Sequence, residues 1–219
     1  MAKSKILKEI VNNEITIEVA LKRLYVIAND LDDADLITWV EKELYGYDDA
    51  DAVPDYRNIG GGTILYSGIK GTMMCNMKLQ NCPLPFQVIP KALQEMLMDN
   101  FRRESIATIE KEANSAGTFT NNLSDFIPYI DIGGAIVQLY RTYSKDVFRE
   151  IVNKVSSILL KIFTRLDKTV KNLDELDIGE LEKDKEDQLK TFIQKVVFED
   201  NSIHIGDGNK IEKSNITTK

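Results

Sequence analysis

The sequence predicts an α+β fold: an N-terminal three-helix segment, a small antiparallel sheet, and a long C-terminal helix followed by a short β-like tail. Three observations carry this reading. Helical periodicity opens the chain, alternation with glycine-rich turns takes over after Arg57, and an apolar stripe in steps of four and three returns after Ser144.

Ile6, Leu7, Ile10 and Val11 form the first apolar stripe. Thr16 is placed to cap a second helix, with Ile17, Ala20, Leu21, Leu24, Ile27, Ala28 and Leu31 on one face. Asp32 and Asp33 offer a cap for the third, whose apolar face is Leu36, Ile37, Val40 and Leu44 and whose end is marked by Gly46. Trp39 lies on this helix and reads as cover for the hairpin's own core rather than as a contact anchor, because large aromatics mostly serve burial. Asp48, Asp49 and Asp51 follow without the spacing, central Gly or terminal Glu of a calcium loop, so they read as a solvated acidic loop.

The string Trp39, Lys42, Glu43, Leu44, Gly46 and Tyr47, followed after the acidic loop by Pro54, Tyr56 and Arg57, is similar to the opening of the AbiTii domain, a family of bacterial abortive-infection proteins. The likeness is good over residues 7–57 and looser through the middle, with a second, weaker match at Arg102-Arg103-Glu104-Ser105. It implies a setting, antiviral defence, and no particular molecular activity. On this basis the expected organisation is an AbiTii-like body over 1–143, a helical stalk over 144–198 and a β-prone tail over 199–219.

Gly60-Gly61-Gly62 reads as a flexible turn, since it lacks the Lys-Ser/Thr of a phosphate loop. A strand over 63–66, a turn at Ser67-Gly68 and a longer run with alternation at Met73, Cys75, Met77 and Leu79 predict an antiparallel hairpin. Met73, Met74 and Met77 fit either an adaptable apolar surface or gap-filling in a core. Pro90 can open a helix carrying Leu93, Met96, Leu97 and Phe101. Arg102 and Arg103 open another through Ile106 and Ile109, and the nearby Glu104, Glu110 and Glu112 make a salt-bridged surface a better reading than a phosphate site. Residues 114–122 are small and polar, a loop by composition, and 135–140 read as a strand.

Ser144 then caps the longest helix, with Phe148, Val152, Val155, Leu159, Ile162, Leu166, Thr169, Leu173 and Leu176 in heptad steps. Continuous, it would be on the order of 45 Å long. Two packings satisfy this stripe, a partner chain or the N-terminal hairpin, and different halves can use each. Beyond Asp177-Ile178-Gly179 the chain is heavily charged, and Leu189, Phe192, Ile193, Val196 and Val197 give the only apolar turn of an exposed stalk.

In the tail, Ile203, Ile205, Gly206, Asn209 and Ile211 resemble the core of amyloid-forming homotypic interaction motifs, including the RIP type. Alternate Ile side chains make a dry zipper and Asn stacks its amides, whereas Lys210, Glu212 and Lys213 oppose in-register stacking. Asp207-Gly208 also suits an ordinary hairpin turn, and an isolated hairpin needs a sheet edge to lean on. Both readings make the tail a strand-mediated contact, set against a disordered or merely packed end.

Composition narrows the function classes. A chain of 219 residues with net charge −7 is large enough for a proper core and lacks the broad positive footprint of a nucleic-acid binder, although a local basic patch is compatible with it. No apolar run approaches the roughly 20 residues of a membrane span, and no secretory pattern opens the chain, so a cytoplasmic protein is expected. Cys75 and Cys82 lack zinc-type partners and read as reduced thiols. His204 is the sole histidine and sits in the tail, which argues against Ser-His or Cys-His catalysis. The expectation is a non-enzymatic defence component with no cofactor and no metal, a homo-oligomer that meets an effector or sensor protein. The alternative is a carboxylate-dependent nuclease or other toxin.

Overall fold

The computed structural model describes residues 3–72, 75–179 and 181–199. Among these residues it is α+β, with helices that precede and follow a four-stranded antiparallel sheet packed around a main core.

The first three helices form where caps and periodicity place them. Ser4, Thr16 and Asp33 each accept a hydrogen bond from a backbone N–H three residues on, at the starts of α1 (Lys5–Val11), α2 (Ile17–Asp30) and α3 (Ala34–Tyr45). Ala20, Leu21, Leu24, Ile27 and Ala28 of α2 and Leu36, Val40 and Leu44 of α3 are buried in the hairpin they share. Val11 departs from its predicted stripe and is exposed, because it lies in the last turn of a seven-residue helix.

The sheet has the order β2-β1-β4-β3, from β1 (Thr63–Thr72), β2 (Cys75–Pro83), β3 (Phe119–Asn122) and β4 (Gly134–Tyr143). Ser67-Gly68 is not the hairpin turn. The strand runs through it with a register shift against both neighbours, and a Cβ on Gly68 would lie 2.2 Å from the Ala135 carbonyl oxygen, so glycine is needed for close pairing. Met77 is exposed on edge strand β2, while Met73 and Met74 lie outside the described residues. Both cysteines are free thiols.

The polar stretch 114–122 is also not all loop. Its end is β3, which pairs with residues 140–143 and brings Phe119 edge-on to Phe148 at 5.3 Å, tying the sheet to the helical core. A smaller core under the sheet gathers Ile64, Leu84, Ile89, Leu97, Leu123, Ile130 and Leu139. Leu97 comes from α4 (Lys91–Met98), on which Leu93 is partly buried and Met96 is exposed, while Phe101 lies beyond its end and bridges to Asn58.

Ser105 caps α5 (Ile106–Asn114), which packs Ile106, Ile109 and Ala113 against the long helix α6 (Asp146–Thr169). At 24 residues α6 is about 36 Å long, shorter than the heptad pattern implied. The chain leaves the helix at Val170, and Leu173 and Leu176 fall in a short 3₁₀ turn with Leu176 left-handed. The stripe is wider than a heptad seam: Phe148, Ile151, Val155, Ile158, Leu159, Ile162, Phe163 and Leu166 are all buried within this chain, so the seam is occupied internally. The segment read as an exposed stalk folds back as well. In α7 (Lys183–Gln194) and the turn Lys195–Glu199, Leu189, Ile193, Val196 and Val197 join the main core beside α3 and α6. No helix among the described residues is long and apolar enough to cross a membrane.

Candidate functional site

Helix α3 shows a core face at Leu36, Trp39, Val40, Glu43 and Leu44, so a carboxylate sits where an apolar residue is expected. Glu43 is fully buried, and so is Arg57, delivered by the 3₁₀ turn Asp55–Arg57 that Pro54 initiates. The two pair in a fork: Arg57 Nη2 donates to Glu43 Oε2 at 2.6 Å and Arg57 Nε to Glu43 Oε1 at 3.1 Å. The Tyr47 and Tyr56 hydroxyls donate to the same Oε1 at 2.8 and 2.6 Å, and Trp39 Nε1 donates to the Tyr56 hydroxyl at 3.1 Å. The guanidinium lies 4.8 Å from the Tyr47 ring centroid. Every polar atom of this cluster that burial strips of water has a partner, the condition under which a buried ion pair is tolerated.

The cluster also clamps a remote segment. Arg57 Nη1 donates to the carbonyls of Arg102 at 3.1 Å and Glu104 at 2.7 Å, and the Tyr47 N–H donates to the Arg103 carbonyl at 2.7 Å. The two adjacent arginines thus supply backbone acceptors here. Arg102 itself is buried against Phe119 and Phe148 and pairs with Glu104 at 2.8 Å and Glu112 at 3.0 Å, the salt-bridged reading with more burial than a surface pair. Arg103 Nη1 donates to the Asp48 carbonyl. Lys42 gathers the acidic loop, pairing with Asp51 at 2.6 Å and Asp48 at 3.2 Å. Its hydrogen bond to Asp51 raises the ammonium pKa and lowers that of the Asp51 carboxyl.

Burial, with the Glu43 carboxylate adding to it, pushes the Tyr47 and Tyr56 phenols well above their usual range. Burial opposes the charge on Arg57, yet Glu43 outweighs it and the guanidinium pKa is raised. A phenol whose folded pKa is raised contributes stability that is complete below about pH 10 and is lost as pH climbs beyond it. A spectrophotometric titration of the native protein to about pH 11 should therefore leave at least two of the eight tyrosines un-ionised relative to denaturant-unfolded chain. Tyr47→Phe and Tyr56→Phe should each reduce that difference by one; an unchanged difference would contradict the assignment.

Beside the cluster is a cleft of about 640 Å³. Trp39, Tyr47 and Pro54 form its motif side, Asp35 and Lys42 line it from α3, and Phe198 closes it from the C-terminal turn. Trp39 is buried, as expected of a core cover, and still contributes to this wall.

All nine motif positions thus have a place. Trp39, Glu43, Tyr47, Tyr56 and Arg57 form the network, Leu44 is core, Lys42 holds the loop, Pro54 starts the turn, and Gly46 lets two backbones touch. The AbiTii family model matches residues 4–192. The chain belongs to the AbiTii family. The match takes in the body and most of the segment after residue 143, in keeping with the shared core of α6, α7 and the N-terminal helices. AbiTii membership points to abortive-infection defence against phage. Comparison with curated proteins and with solved structures finds no match.

The tail residues Ile203, Ile205, Gly206, Asn209 and Ile211 lie outside the described residues. Among the described residues, no three of His, Cys, Asp or Glu converge as metal ligands. Sequence reasoning missed Glu43–Arg57 as a buried pair, although the carboxylate on the apolar face of α3 was its signal. It had no means of finding Val197 and Phe198 beside α3, since that contact joins segments far apart in the sequence.

Proposed function

We propose that this AbiTii protein acts in phage defence without catalysing a reaction, as a rigid body whose tail joins copies of the chain. The observation that supports this most is the seating of the last described turn. Val196 and Val197 are buried in the main core and Phe198 lies on the cleft, so residues 200–219 are attached to a fixed root next to the motif cluster. The long helix is not the joining surface, because its stripe is spent inside the chain. Self-association falls to Ile203, Ile205, Gly206, Asn209 and Ile211, whose alternating Ile and stacked Asn suit an intermolecular β contact. A phage-derived or host component that engages the cleft would act on Phe198 and hence on the tail's root, and the assembled tails would recruit an effector encoded elsewhere.

The experiment is a phage challenge of cells carrying the full chain or a chain ending at Asp200. The truncated protein should keep the melting transition of the full chain, since the two hydrophobic clusters among the described residues lie before that point, and should lose protection. Full protection by the truncated protein would reject the role of the tail. Nucleic-acid cleavage by the purified chain, abolished by single Asp or Glu substitutions, would replace this reading with that of a nuclease.

A further inference from the structure

A second cleft, about 350 Å³, lies where the C-terminal end of α6 meets α7. Its lining inverts the sign of the molecule: Arg165, Lys168, Lys171 and Lys185 meet there in a chain of net charge −7. Among the described lining residues the one carboxylate, Asp167, is already engaged, accepting from the Ser4 N–H at 2.7 Å and from Lys3 Nζ at 3.0 Å. Its pKa is lowered: burial opposes the shift, and these two donors overcome it.

A plain account covers part of this cluster. Lys168 in the last turn of α6 complements the negative end of the helix dipole, and Lys185 pairs with Glu182 at 2.9 Å in an exposed contact of little strength. Arg165 and Lys171 are left over. Lys168 and Lys171 form no ion pair among the described residues. The Arg165 guanidinium is held 5.6 Å from the Phe192 ring centroid and forms no ion pair among the described residues; its Nε is buried without a hydrogen-bond partner there, as the Nε atoms of Arg102 and Arg141 are too.

We propose that this cleft binds a small phosphate-bearing anion. The arginine supplies a planar donor fork and the lysines supply point charges, the combination that suits a tetrahedral dianion. The volume is at the small end of ligand sites, which run from about 300 to 1,000 Å³, and takes a di- or triphosphate rather than a bulky apolar molecule. Among the described residues its lining shares no member with that of the motif cleft.

The test is calorimetric titration of the full chain with tripolyphosphate and with ATP, paired with amide NMR. Saturable binding, with shifts concentrated in 165–171 and 185–188, is expected, and it should weaken as salt rises. Equal affinity for the two probes assigns the phosphates as the recognised group, and preference for ATP assigns a nucleotide. The double variant Lys168→Glu/Lys171→Glu, on exposed positions, should melt as the parent does and bind at least tenfold more weakly. Arg165→Lys, which keeps the charge and loses the fork, should weaken binding by a smaller factor. Absence of binding by either probe at millimolar concentration, or affinity unchanged in the double variant, would overturn the proposal.

Discussion

Arg57→Met should remove about 3–5 kcal/mol of stability, the range for breaking a buried ion pair by taking one partner away. Two costs combine. Glu43 is left as a carboxylate with no exposure and no counter-charge, and the Arg102 and Glu104 carbonyls lose the donor that reaches them from Arg57. Since whole domains hold only about 5–15 kcal/mol, this single change should bring the protein close to unfolding at growth temperature. Urea unfolding measures it directly. The double variant Glu43→Gln/Arg57→Met should recover part of the loss, because the stranded charge is gone and Gln can still accept from the Tyr47 and Tyr56 hydroxyls. A loss under about 1 kcal/mol in the single variant would contradict the reading of the pair as a structural lock.

Gly46→Ala should be the second most damaging substitution. The residue has φ +102° and ψ 172°, a region that only glycine occupies without strain, and this alone costs about 1–3 kcal/mol. A Cβ at this position would also lie 2.8 Å from the Arg103 carbonyl oxygen, a backbone atom that cannot swing aside. That carbonyl accepts from the Tyr47 N–H, so relief of the overlap must loosen the clamp on residues 102–105. A total loss of about 2–4 kcal/mol is expected, with the strain and the weakened hydrogen bonding both contributing. Thermal melting beside Gly117→Ala is the control. Gly117 has nearly the same φ, +104°, but open space surrounds it, so it should lose only the strain component. Equal losses at the two positions would reject the close-approach argument.

The helical part of the fold was legible because it is written locally. Thr16 and Asp33 cap within three residues of themselves, and α2 and α3 bury the faces their periodicity marks. The sheet was read in outline and misread in detail where pairing overrides local composition. Ser67-Gly68 has the residues of a turn, yet cross-strand pairing with Gln138 and Ile136 makes it an irregularity within β1. Phe119 sits in a polar stretch and becomes strand because residues 140–143 offer an edge.

In the C-terminal region long-range packing likewise overrides the local pattern. The repeat in steps of four and three continues past Thr169 in the sequence, but the chain turns at Val170, and Leu173 packs into the core from a different backbone direction. The strong charge of residues around α7 suggested exposure, although Leu189 and Ile193 alone are enough to dock one face. For the motif cluster, the nine residues were picked out by family likeness, and their chemistry was hidden because a buried ion pair is visible in sequence only as one carboxylate out of place.

Whether a rigid AbiTii body carries an assembling tail is read from the solution mass of the full chain beside a chain ending at Asp200, by light scattering across a concentration series. The expected result is a full-length species that grows with concentration and a truncated species of small, constant mass. The same small mass for both at every concentration would contradict it.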